Sequence, residues 1–122
     1  MTEWLVPDDV VVFHDALTNA PLIDRGKLEG AVARPQATFE GVLLHPSVFA
    51  QASVLVHGLC QAHAFLDGNK RTAWVATLTF LSRNGIEVRL LSAIEMSDYM
   101  VEVAQGIHSP EDTAFWFAAL SV

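Results

Sequence analysis

Between His63 and Trp74 the chain reads HAFLDGNKRTAW, a histidine, an aspartate, a Gly-Asn pair and two adjacent cations in quick succession. A histidine such as His63 can take a proton from a hydroxyl near neutral pH. Asp67 is a carboxylate of the kind that holds Mg²⁺ together with phosphate oxygens. Gly68 and Asn69 allow a tight turn, and backbone amides at a helix start attract phosphate. Lys70 and Arg71 add positive charge beside those amides. A base, a metal carboxylate, an amide nest and cations suit transfer from a nucleotide onto a hydroxyl. The chain has no GxxxxGK[ST] and no GxGxxG, so it is neither a P-loop nor a Rossmann protein.

The same residues also have a plain structural reading. They precede an apolar run, and the helix that begins there needs acceptors for its first N–H groups. Asp67 or Asn69 could supply one as a cap. Two cations in a first helical turn oppose the dipole, by roughly a few tenths of a kcal/mol or more each, which capping alone does not require. Cap and anion site both remain open on these residues.

The elements around the stretch are helical. Asp8 or Asp9 can cap a first helix with Val10, Val11, Phe13 and Leu17 on its apolar side. Thr18 to Pro21 is a break, and Gly26 to Ala33 a short helix that Arg34-Pro35 ends. Pro35 to Leu44 suits a small hairpin or extended flap. Pro46 opens a helix to about Ala62. The polar loop Ala64 to Asn69 follows, and Lys70 to Asn84 forms a second long helix. Its apolar residues cover nearly the whole circumference, which predicts the buried centre of the domain. Gly85 caps it, Ile86 to Leu90 is extended, and Ser92 with Glu95 is a capping box for a helix ending near Gly106. Ser109-Pro110 opens the last helix, with Glu111 and Asp112 in its first turn. The expected fold is all-α: about six helices around a buried central one, with a short flap hairpin, in a single domain spanning 1–122.

Composition limits the partners. The chain has 122 residues, 52% hydrophobic, which supports one core and argues against disorder. A formal charge of −7 without a basic run speaks against direct nucleic-acid binding. No apolar run is long enough for a membrane span, and the acidic start MTEWLVPDDV does not resemble a signal peptide. One cysteine, Cys60, excludes an internal disulfide and fits a cytoplasmic home.

The ordered stretch His63-Ala-Phe-Leu-Asp67-Gly-Asn-Lys-Arg71-Thr-Ala73 resembles the signature of the Fic/Doc family, whose Fic branch reads HPFxxGNGRxxR. Ala31 to Gln36 before a flap, the length and the helix–loop–helix placement are similar to the family too. The resemblance implies a Fic-type bundle with ATP at the loop. Lys70 stands where Fic adenylyltransferases have Gly, and Trp74 where they have a second Arg. Both departures resemble the Doc (death on curing) toxins. The implied activity is an ATP- and Mg²⁺-dependent protein kinase that phosphorylates a threonine of elongation factor Tu and blocks translation in the bacterial cytoplasm. The alternatives are AMP transfer to a hydroxyl side chain, as in the Fic branch, or an inactive Fic fold that only binds a partner.

Carried over by position, the resemblance implies His63 as base and Asp67 as metal carboxylate. It makes Gly68 and Asn69 the anion nest, Lys70 and Arg71 the phosphate cations, and Phe65 the buried anchor of the loop. Arg34, Pro35, Gln36, Ala37, Thr38 and Phe39 occupy the place of the target-binding flap, where strand addition gives affinity. An inhibitory [ST]xxxE[GN] helix is absent. The residues four before Glu29-Gly30 and Glu40-Gly41 are Arg25 and Gln36. Control then falls to a cognate antitoxin whose helical tail fills an apolar groove.

The remaining residues have ordinary readings. His14, His45, His57 and His108 are expected as surface or cap residues, and His57 and His63 do not share a helix face. Cys60, Trp74, Phe80 and Phe115-Trp116-Phe117 are expected in the core. Arg25 and Lys27 are expected in solvent.

Overall fold

The structure, a computed structural model, describes Met1–Val122 and is an all-α bundle of six helices with one small hairpin. The elements run α1 (Pro7–Leu17), α2 (Arg25–Ala33), a 3₁₀ turn (Arg34–Gln36), β1 (Thr38–Phe39), β2 (Val42–Leu43), α3 (Val48–Ala62), α4 (Asn69–Arg83), α5 (Ala93–Ala104) and α6 (Pro110–Leu120).

The sequence reading placed the wrong helix at the centre. It is α3, not the helix after the polar loop, whose residues Gln51 to Cys60 are buried without a break. It packs against α2, α4, α5 and α6 together. Its polar side chains are satisfied within the core. Gln51 Nε2 donates to the His45 carbonyl at 2.9 Å. Ser53 Oγ donates to the Pro110 carbonyl, and His57 Nε2 lies 2.9 Å from Thr113 Oγ1. In α4, Trp74, Val75 and Leu78 are only half-buried. Apolar residues around a circumference therefore overstate burial when neighbouring helices cover only part of it.

Several boundaries also shift. Helix α1 starts two or three residues earlier than its acids suggest. Val6 is its N-cap residue, Pro7 follows, and Asp9 Oδ2 reaches back to accept from Val6 N–H at 2.9 Å. Pro46 lies outside α3, where Ser47 caps by accepting from Ala50 N–H. The flap is shorter than expected. Arg34 stays in the helical region (φ −54°, ψ −40°), and Arg34–Gln36 forms a 3₁₀ turn. Pro35 sits at its start, where a missing N–H costs nothing, and is buried. Only Thr38–Phe39 and Val42–Leu43 pair, antiparallel, joined by Glu40 and Gly41 at φ 51° and 80°. Two positive φ values suit a two-residue hairpin turn.

The helix ends conform to the sequence. Beyond α4, Ile86 N–H bonds to the Leu81 carbonyl and Gly85 N–H to that of Ser82. This is the double bond of a Schellman end, with Gly85 at φ 83°. Ser92 and Ser109 cap α5 and α6, but the box expected at Ser92 is half made: Glu95 faces Arg89, and only Asp112 of α6 returns a bond to its cap residue. Phe80 and Phe117 are fully buried. Phe115 is not in the core: it is 77% exposed and lines a cavity of about 300 Å³ with Phe49, Ala114 and Ala118. No helix is long and apolar enough to cross a membrane.

Candidate functional site

The loop between α3 and α4 is held from three directions. Helix α3 ends at His63 in the left-handed region, φ 49° and ψ 44°. A non-glycine residue there costs roughly 1 kcal/mol or more and persists where the surroundings over-determine it. Asn69 then turns its side chain back. Its Oδ1 accepts from Phe65 N–H at 3.1 Å, and its Nδ2 donates to the Phe65 carbonyl at 2.8 Å. Finally, the segment before α2 straps the loop. Ile23 and Asp24 N–H both bond to the Ala64 carbonyl, and Leu66 N–H bonds to that of Pro21.

Below the loop lies His14, which the sequence reading placed at the surface. It is fully buried. Its Nε2–H donates to the Asp67 carbonyl at 2.9 Å, and its Nδ1 faces Asp15 Oδ1 at 3.0 Å. The ring stacks on Phe65 with centroids 3.7 Å apart and planes 11° from parallel. Phe65 is buried, as expected of the loop's anchor. The sequence did carry a signal for His14. It lies four residues after Val10 and three before Leu17, on the apolar face of α1.

Gly68 is the N-cap residue of α4 at φ 82°. A Cβ there would lie 2.9 Å from Thr18 Cγ2 and 3.4 Å from His14 Cδ2. Glycine is thus required by the backbone angle and by the packing beneath it. No side chain caps α4. Ser47, Ser92, Ser109 and Asp24 cap other helices, but Asn69 is committed to Phe65 and Asp67 to no partner. The first amides of α4 therefore open outward beside Lys70 and Arg71.

They open into a cavity of about 360 Å³ lined by His63, Leu66, Asp67, Gly68, Asn69, Lys70, Arg71 and Ser97. All six residues singled out from the sequence as base, carboxylate, nest and cations share this one space. His63, Asp67, Lys70 and Arg71 are exposed. Ser97, from α5, was not foreseen; nothing in its own sequence context marks it. Asp67 is the one acidic side chain on the wall, so a divalent cation held there would take its other ligands from water or phosphate, as Mg²⁺ does.

The flap residues stand apart from this cavity. None of Arg34 to Phe39 lines it. Arg34 instead lines a neighbouring groove with Lys27, Gly58, Gln61 and Ala62, the last two directly before His63. Pro35 is buried where the 3₁₀ turn packs on α3; Arg34, Gln36, Thr38 and Phe39 are exposed, with Ala37 between. Trp74 points away into an aromatic cluster, 6.2 Å from Phe117 and 5.7 Å from Trp116 between centroids. The position where the Fic signature has a second arginine is here part of the packing between α4 and α6.

Two groups near the site are poor candidates for chemistry. Burial pushes the Cys60 thiol up to about 12, with the Lys70 charge opposing only in part. His57 is buried, against expectation, because Thr113 satisfies its ring inside the core. Burial lowers its pKa, helped by the charges of Arg34 and His108 and opposed by Glu111. His108 is half-buried, paired with Glu102 at 2.9 Å and stacked on Tyr99.

Comparison with known proteins bears on the family. The model of the Fic/DOC family matches residues 4–81. A protein called Toxin Doc from Mycolicibacterium smegmatis is 42% identical over 107 residues, covering 85% of this chain and 82% of the relative. Protein kinase doc of Escherichia phage P1 is 30% identical over 107 residues, covering 82% and 81%. With the family match spanning α3, the loop and all but the last two residues of α4, the chain belongs to the Fic/DOC family.

Proposed function

We propose that this protein is a Doc-type toxin kinase that transfers a phosphoryl group from ATP to a threonine hydroxyl of elongation factor Tu. The observation that carries the reading is the uncapped start of α4, opening with Lys70 and Arg71 into the cavity that His63 enters. The phage relative called a protein kinase supports phosphoryl transfer over other transfers. Lys70, where the Fic signature has Gly, and Trp74, half-buried against Trp116 and Phe117, support it as well.

In this reading the amides of Asn69, Lys70 and Arg71 cradle phosphate oxygens at the positive end of α4. The Lys70 and Arg71 side chains bind the same group from the cavity wall. Asp67 would hold Mg²⁺, which when bound would neutralise phosphate charge. His63 takes the proton of the acceptor hydroxyl as its oxygen forms the new P–O bond and the bond to the departing ADP breaks. The left-handed backbone at His63 fixes where the ring emerges, and the strap from Pro21 to Asp24 keeps the loop from yielding. The reading includes a cognate antitoxin whose helical tail covers an apolar groove. The cavity between α3 and α6, edged by Phe49 and Phe115, is a surface of that kind.

The test is mass analysis of elongation factor Tu after incubation with the protein, ATP and Mg²⁺. One added phosphoryl group on a threonine is expected; an added AMP would move the chain to the adenylyltransferase reading, and no change would leave a binding protein. His63→Ala should abolish transfer with unchanged thermal unfolding, because the ring is exposed and has no hydrogen-bond partner in the protein. Lys70→Ala should raise the KM for ATP.

A further inference from the structure

The distribution of positive charge singles out a second binding region. Of the seven cations, Arg25, Arg83 and Arg89 are paired with Asp8, Asp9 and Glu95. Lys27, Arg34, Lys70 and Arg71 have no carboxylate within 4.0 Å, in a chain with 14 acids and a net charge of −7. Those four fall in two groups, with Arg34 also edging a further cavity beside Glu111. Lys70 and Arg71 line the His63 cavity. Lys27 and Arg34 line a separate groove of about 370 Å³ between α2 and α3. The groove wall includes Gln61 and Ala62, the residues directly before His63, so it lies beside the His63 cavity at the C-terminal end of α3.

The groove's own chemistry favours one kind of occupant. Its floor is Gly30, Ala31 and Gly58. A Cβ at Gly58 would lie 3.4 Å from Ala31 Cα, so the two helices are nearly in contact there and the groove stays shallow. It has no aromatic residue on which a nucleotide base could stack. Lys27 and Arg34 are seven residues apart, two turns along one helical face, or about 10 Å. On one face of an extended chain, side chains two or four residues apart lie roughly 7 or 13 Å apart, within reach of both long cations. Arg34 also begins the 3₁₀ turn that leads into β1, so a strand added to the hairpin edge would pass it.

We infer that the Lys27–Arg34 groove recognises acidic side chains of an extended acceptor segment, and so selects hydroxyls flanked by carboxylates for the His63 cavity. This rests on the kinase reading for its purpose, though not for its measurement.

The probe is a fluorescein-labelled peptide alternating Glu and Thr, compared by fluorescence anisotropy at low salt with its Gln-Thr counterpart. Wild type should prefer the Glu peptide. The double variant Lys27→Gln, Arg34→Gln should bind it about fivefold to tenfold more weakly, the scale of two exposed ion pairs. Lys70→Gln with Arg71→Gln should change that affinity less than twofold, and ATP should not displace the peptide. Equal binding of the two peptides by wild type, or binding by the Lys27/Arg34 variant within twofold of wild type, would overturn the inference. So would displacement by ATP, which would place the anion in the nucleotide cavity. Glu-peptide preference in a chain that modifies nothing would retire the kinase reading and keep this groove.

Discussion

Replacing Gly68 by Ala tests whether the loop between α3 and α4 is shaped by the residues beneath it. Two costs can be separated. The backbone stands at φ 82°, and holding alanine in the left-handed region costs roughly 1–2 kcal/mol. The new methyl would also lie 2.9 Å from Thr18 Cγ2, an overlap that forces a shift worth about 1–3 kcal/mol. Together they come to about 2–5 kcal/mol, a large part of the stability of a domain this size. In urea, with a slope near 2 kcal/mol/M, the midpoint should fall by roughly 1–2.5 M. Thr18→Ser removes only the obstructing methyl and keeps the hydroxyl that accepts from Ala20 N–H at 3.2 Å. Alone it should cost under about 1 kcal/mol. Combined with Gly68→Ala it should recover the steric part, giving a coupling of about 1–3 kcal/mol in a double-mutant cycle. If the two changes add within about 0.5 kcal/mol, the Thr18 contact is not what requires glycine. The strained turn would then be the whole reason.

Three further outcomes can be measured independently. Asn69→Ala removes both hydrogen bonds to Phe65 and should cost about 1–3 kcal/mol in urea unfolding, with phosphotransfer falling further than the loss of folded protein explains; wild-type stability would refute the anchoring role. Cys60, its thiol held up near 12, should resist a disulfide reagent at pH 8 in the native state and react once unfolded; rapid native labelling would contradict its burial. His57 has a folded pKa below its unfolded value near 6.5, so its contribution is complete above that pH. It is lost as pH falls from there through the lowered folded value, with a slope of at most about 1.4 kcal/mol per pH unit. His57→Gln should flatten this part of the stability profile, and an unchanged slope would assign it to another group.

The parts legible in the sequence were those governed by neighbours in the chain. Gly85 and Gly106 end helices because only their own φ and the preceding turn matter. Ser92 and Ser109 cap for the same reason. The order His63, Asp67, Gly68, Asn69, Lys70, Arg71 could be read as one site because a single loop carries it. Burial was less legible, since it depends on how many elements arrive from elsewhere. That is why α3 rather than α4 proved central, and why His57 found Thr113, 56 residues away. The flap was overextended because a proline was read as a helix stop, although at the start of a 3₁₀ turn it continues the helical path.

The open choice between cap and anion site turned on this same division. From sequence, Asn69 was a fair candidate for capping, and only the unfavourable placement of Lys70 and Arg71 against the dipole argued otherwise. The structure gives the asparagine a different task. By bonding both the N–H and the carbonyl of Phe65, it is spent on closing the loop and cannot reach the α4 amides. His14 takes up the Asp67 carbonyl from below, so the backbone around Gly68 is satisfied on its inner side while the helix start remains open on its outer one. A loop held from 53 residues away yet left uncapped at its exposed end is what the proposed phosphate site needs. The two cations that the helix dipole disfavours are the residues that the proposed phosphate would offset.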